Sequence, residues 1–228
     1  MLKYWLSIII LIIIGLGTAP AGAVSGKDHP GSRGPRGIKS FRSLIEIRNE
    51  STVRQKWDLS CGSAALSTIL THHYGDKISE AVIITSILRI TDPVKIRNRG
   101  GFSLFDLKRF VESRGYDGKG YADMTLADLL SMNLPAIVPI KSKGLDHFVV
   151  FRGIRGNKAV ISDPAFGTVI MEADRFVDIW KGGIGFFVIG RGPDLPAGLK
   201  PEKEDFLIPD GGAIGRALSL TSAPLTRR

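Results

Sequence analysis

The sequence predicts an α+β domain, with a block of helices first and an antiparallel sheet after it. Three observations predict it. Apolar residues recur at helical spacing between residues 61 and 130, and after Pro135 the period shortens to that of strands. The β-rich runs are then separated by turn signals such as Arg155-Gly156-Asn157 and Ala165-Phe166-Gly167. With 228 residues, 43% hydrophobic and 23% charged, the chain can build one sizeable core or at most two small domains. That composition excludes a mostly disordered chain, a collagen and a disulfide scaffold.

Taken in order, residues 61–74 place Ala65, Leu66, Ile69 and Leu70 on one helical face, and Gly75 follows as a C-terminal cap. Ser79 reads as the N-cap of a second helix over 79–90, with Val82, Ile83, Ile87 and Leu88 inward. Ser103 to Asp106 opens a third, periodic in Leu104, Leu107, Phe110 and Val111 and ended by Gly115. Thr125 to Asp128 starts a short fourth. Residues 136–140, 148–154, 158–162, 168–171 and 185–189 read as strands, with one short helix, 173–180, before the last.

The ends are different in character. Residues 1–24 carry Lys3, an apolar run from Leu6 to Leu16 and small-residue cleavage sites at 19–21 or 21–23, the pattern of a secretory signal. The run is shorter than the ~20 residues a spanning helix needs, so membrane contact is expected only through this segment. Residues 25–40 read as a flexible lead-in, 41–191 as the compact domain, and 192–228, with five prolines and no sustained period, as a loose tail. The net charge of +9 is spread along the chain without a nucleic-acid motif, so no nucleic-acid partner is expected. Arg89, Lys95, Arg97 and Arg99 around Asp92 read as a basic helix end and loop over 90–101, either solvated or a rim that steers an acidic peptide.

Two short segments carry chemistry. Cys61 is the one cysteine, so no intramolecular disulfide forms; it is either a small buried hydrophobe or a reactive thiol. It falls at the first turn of an apolar helix, where unpaired N–H groups and the positive end of the dipole favour a thiolate. Gly62 beside it allows close approach of a substrate backbone. Gln55 upstream carries an amide able to donate to an oxyanion, and Trp57 either packs or walls a subsite. The second segment is Asp146-His147 at the start of a strand, followed across the 156–157 turn by Asp163-Pro164. Antiparallel strands joined by a tight turn bring residues at their open ends side by side, so Asp163 can orient the His147 ring. Adjacent His72 and His73 cannot share the i, i+4 face of a zinc helix and read as solvated or capping; no metal or cofactor is called for.

Residues 55–74, 146–153, 161–166 and 176–189 resemble the double-glycine cysteine peptidases, the papain-like bacteriocin-processing family numbered thirty-nine among cysteine peptidases. The resemblance covers about residues 50–190, with Gln, Cys-Gly, His, Asp-Pro and the aromatic strand 185–189 in the family's order. It implies a papain-like fold, Cys61 as nucleophile, His147 as general base and then acid, and Asp163 as its orienter. Gln55 and the Cys61 amide are implied as the oxyanion hole; beside them, Gly62, Trp57 and Asp146 read as candidate substrate contacts. Ser60 stands where the family usually has aspartate, no ATP-binding or membrane domain is expected beside these residues, and the signal-like segment is expected to send the domain to the periplasm or beyond. Exported members occur beside secretion systems, including those of bacterial functional amyloid, whose components are the implied partners besides a peptide or protein substrate. The residues themselves leave three readings open: an endopeptidase cutting after small residues such as glycine, a non-catalytic peptide-binding module, and another thiol acyltransferase or amidase.

Overall fold

A computed structural model describes residues 42–142, 144–190 and 198–207. The signal segment and lead-in expected over 1–40, and most of the tail, lie outside these residues. Seven helices are described: α1 (Leu44–Asn49), α2 (Cys61–His72), α3 (Glu80–Leu88), α4 (Pro93–Arg99), α5 (Leu104–Ser113), α6 (Leu126–Ser131) and α7 (Ala173–Ile179). Six strands accompany them: β1 (Asp117–Tyr121), β2 (Ala136–Ser142), β3 (Leu145–Arg155), β4 (Lys158–Asp163), β5 (Gly167–Glu172) and β6 (Gly185–Ile189).

Capping chemistry decides where the helices begin. Ser103 with Asp106, and Thr125 with Asp128, form reciprocal capping boxes at the starts of α5 and α6. Ser79 accepts the Val82 N–H at α3. A further box, Ser43 with Glu46, starts α1, a helix too short to show an apolar period. The expected basic loop contains α4, opened by Asp92 and Pro93 and closed by left-handed Gly100. Its charges are not all solvated either. Arg99 pairs at 2.7 Å with Asp106, which is 3% exposed and also bonded by Ser103 and Thr91.

The six strands form one antiparallel sheet in the order β1-β6-β2-β3-β4-β5. Alternate residues divide it cleanly. Ile137, Val150, Phe186 and Val188 face a core with residues of α2, α3 and α5. Val138, Val149, Phe151, Ile161 and Phe187 face a second core with Leu129 of α6 and Phe176 of α7. Because both faces are covered, the central strands read as unbroken apolar runs. Trp180 packs in the second core and donates its indole N–H to the Ile184 carbonyl at 2.8 Å.

Several expectations change on packing. Gly62 to Leu70 are all buried, so α2 is enclosed rather than one-sided; Ala64, Ala65, Ser63 and Ser67 are small enough to admit neighbours on every side. On α3, Ile83 and Ile87 point inward, but Val82 and Leu88 flank that stripe and remain 47% and 40% exposed. β1 (sequence DGKGY) was not legible as a strand because glycines occupy two of its five positions; pairing with β6 imposes it.

The tail is not loose over residues 198–207. Leu199 is buried in the first core, and a short 3-10 turn spans Glu204–Leu207. Where β3 pairs β4 the register shifts between Phe151 and Gly153, leaving Arg152 as the extra residue of a bulge. Buried Arg152 donates to the Leu199 carbonyl at 3.1 Å, the Lys200 carbonyl at 3.0 Å and Asp205 at 2.7 Å, so one guanidinium clamps this strap. The strap covers the end of α2, where a Cβ on Gly198 would collide with the His72 carbonyl. His73 is accordingly 4% exposed rather than solvated, and both its ring nitrogens lack partners.

Candidate active site

Residues 52–60 run irregularly into α2, and their last turn prepares its N-terminus. Leu59 takes a positive φ of 65°, and Ser60, buried where the resemblance expects aspartate, donates to the Trp57 carbonyl at 2.6 Å. Ser60 therefore supplies no side-chain cap, and the first N–H groups of α2 keep their field for what lies in front of them. What lies there is Cys61. Its thiol is free and half-buried, not sealed in the core. Burial pushes the Cys61 pKa up, but the His147 hydrogen bond, the Phe148 N–H, the His147 charge and the Gly62 N–H outweigh it and hold the thiol below its ordinary value.

His147 reaches this point from β3. Val150 faces Ser162 across the β3–β4 pair, so His147 and Asp163 lie diagonally on one face of the sheet. His147 Nε2 and Asp163 Oδ1 are 2.8 Å apart. With Nε2 so engaged, Nδ1 is the ring nitrogen left for the Cys61 thiol, whose nearness helps to raise the imidazole pKa. Burial pulls the imidazole pKa down; hydrogen bonds to Asp163 and Cys61 and their charges raise it, net to about 9. Thiol and imidazole are thus shifted toward each other, which favours a thiolate–imidazolium pair.

Asp163 is held in turn. Its Oδ1 also accepts the Ala165 N–H at 2.7 Å, closing the Asp163-Pro164 turn on itself. Gln55 adjoins this turn through its N–H, which donates to the Pro164 carbonyl at 2.9 Å. Its side-chain amide is lightly held, with Nε2 3.4 Å from the Trp57 carbonyl and Oε1 buried without a partner. One donor of that amide is thus available to an incoming oxyanion.

The three expected substrate contacts divide. Gly62 is buried, and a Cβ there would meet Phe148 at 3.4 Å and Leu107 at 3.5 Å, ordinary contact distances. Asp146 is exposed and paired with Lys181 at 2.7 Å. Trp57 is 49% exposed and lines an apolar groove of about 320 Å³ with Leu59, Ser60, Ile84, Ile96 and Phe102. The groove starts one residue from Cys61. Sequence reasoning offered Trp57 as a wall but missed the rest, because the other walls come from α3, α4 and two separate loops that no local pattern joins. Among the described residues no cluster of three or more His, Cys, Asp or Glu side chains could hold a metal.

An activated thiol, a carboxylate-oriented imidazole and a free amide donor form a set capable of acyl transfer. Comparison with known proteins agrees. The model of the peptidase C39 family matches residues 49–188. The chain is 40% identical over 156 residues to the probable functional amyloid protease FapD of Pseudomonas aeruginosa, covering 68% of each chain. It is 35% identical over 184 residues to the protein of that name from Pseudomonas fluorescens, covering 81% of this chain and 79% of that one. The peptidase domain of Streptococcus ComA, a bifunctional ABC transporter, superposes with a TM-score of 0.51 at 26% identity, over 62% of this chain and 98% of that domain. The chain belongs to the peptidase C39 family and is a cysteine peptidase with the α+β papain-like fold.

Proposed function

We propose that this peptidase cleaves a peptide or protein substrate outside the cytoplasm through a Cys61 thioester. The observation that carries the assignment is His147, held by Asp163 at 2.8 Å and acting on the Cys61 thiol at the start of α2. The Cys61 thiolate attacks the scissile carbonyl, and the oxyanion that forms takes hydrogen bonds from Gln55 Nε2 and the Cys61 N–H. The tetrahedral adduct collapses as the His147 imidazolium protonates the leaving amine, giving a thioester. Neutral His147 then takes a proton from water, the resulting hydroxide attacks the thioester, and the acid departs as the thiolate is regenerated with the imidazolium beside it. Each oxyanion donor supplies about 3–4 kcal/mol of transition-state stabilisation.

The groove beside Trp57 receives apolar side chains of the substrate, and a small residue such as glycine precedes the cut. The FapD relatives, named as functional amyloid proteases, support a substrate that belongs to such an assembly, and the signal-like residues 1–24 support export. N-terminal mass spectrometry of the exported proteins from cells carrying wild type or Cys61→Ala tests both. New N-termini after small residues should appear with wild type alone. Identical N-terminal profiles would refute the proposal.

A further inference from the structure

The oxygen of one peptide bond joins the two halves of the site. The Pro164 carbonyl accepts from the Gln55 N–H at 2.9 Å and from Arg54 Nε at 3.1 Å. The other end of the same peptide unit is the Ala165 N–H, which donates to Asp163 Oδ1 at 2.7 Å. That carboxylate oxygen is the one paired with His147 Nε2. Arg54 adds a second hold, its Nη2 donating to the Ala165 carbonyl, while Nη1 donates to Asn49 Oδ1 at 3.1 Å. Ser162 Oγ, on the other side of Asp163, donates to the Ser51 carbonyl at 3.1 Å.

Nothing in the proposed chemistry uses this guanidinium, which touches neither the sulfur nor the imidazole. Its fork fits two successive carbonyls as no other side chain's would, since it presents fixed, planar donors. A cation on the oxygen side of a peptide also polarises the N–H on the other side, strengthening the bond to the carboxylate. We propose that Arg54 is a positioning residue for the active site, orienting His147 through the Pro164–Ala165 peptide and Asp163. The inference rests on the assignment of Cys61, His147 and Asp163 above.

The test needs no substrate. The rate of Cys61 alkylation by iodoacetamide, followed against pH, reads the thiolate directly, while thermal unfolding reads the fold. Wild type should react well below the pH at which an ordinary thiol does. In Arg54→Ala the acid limb should move up by about one pH unit, about tenfold slower reaction on that limb. Arg54→Lys, which keeps the charge but not the fork, should fall between the two and stands in if the alanine variant does not fold. Arg42→Ala, removing an exposed arginine paired with Glu50, should leave the profile in place. Folded Arg54 variants with the wild-type profile, even at a lower melting temperature, would overturn the positioning role and leave the catalytic assignment standing. A wild-type profile no more acidic than an ordinary thiol's would remove both.

Discussion

The two ends of α2 each place a histidine in a largely buried setting, with opposite results. At the N-terminus His147 lies between a carboxylate and a sulfur, and its pKa is raised to about 9. At the C-terminus His73 sits under the 198–207 strap with neither nitrogen bonded; burial and the nearby Lys200 charge lower its pKa. Burial by itself disfavours the charged ring at both ends. Only anionic partners reverse it, so partners rather than depth separate a proton-transfer group from a packing group.

The most severe way to probe the contrast is to remove the working end. Cys61→Ala should abolish turnover with folding intact, and His147→Ala should lower kcat by about 10³-fold or more; wild-type rates for either would end the assignment. His73→Phe should leave kcat unchanged. Next comes the anion that sets His147 apart. Asp163→Ala should drop the His147 pKa toward or below 6.5, as seen by NMR titration, and Asp163→Asn should lose less turnover because an amide still holds the ring. An unmoved His147 titration would mean that Asp163 is not its counter-charge.

The strap offers the complementary test at the other end. Asp205→Ala leaves the Arg152 guanidinium, 2% exposed, without its counter-ion and should cost about 3 kcal/mol of stability without moving the thiolate titration. A shifted titration would show that the two ends are coupled.

In pH-dependent stability the two histidines oppose each other. His147 has a raised folded pKa, so its contribution is fully present below 6.5 and is lost as pH rises toward and through about 9. His73 has a lowered folded pKa, so its contribution is present above 6.5 and is lost as pH falls below that value. His73→Phe should therefore flatten the acid side of the stability profile, and His147→Ala the alkaline side. Urea unfolding across the pH range measures both slopes.

Much of this protein was readable in advance because its signals are local. Ser79, Ser103 and Thr125 announce helices through bonds spanning three residues, and the runs over 148–151 and 185–189 announce strands. Asp163 could be matched to His147 from the sequence because one tight turn joins their strands, a relation of register rather than of tertiary packing. β1, with its glycines, and α4, with Ile96 as its one buried residue, carry too little apolar pattern to be seen without their partners.

The amino-acid order by itself determined most of the helices and strands and the placing of a cysteine at a helix start, since both follow from periods and caps within a few residues. Tertiary structure alone decided that α2 is enclosed, that His73 is covered, that a groove opens beside Cys61, and that Arg152 and Arg54 clasp carbonyls 47 and 110 residues further along the chain. Contacts of that reach leave no periodic trace in the sequence, because each depends on where several unrelated segments come to rest.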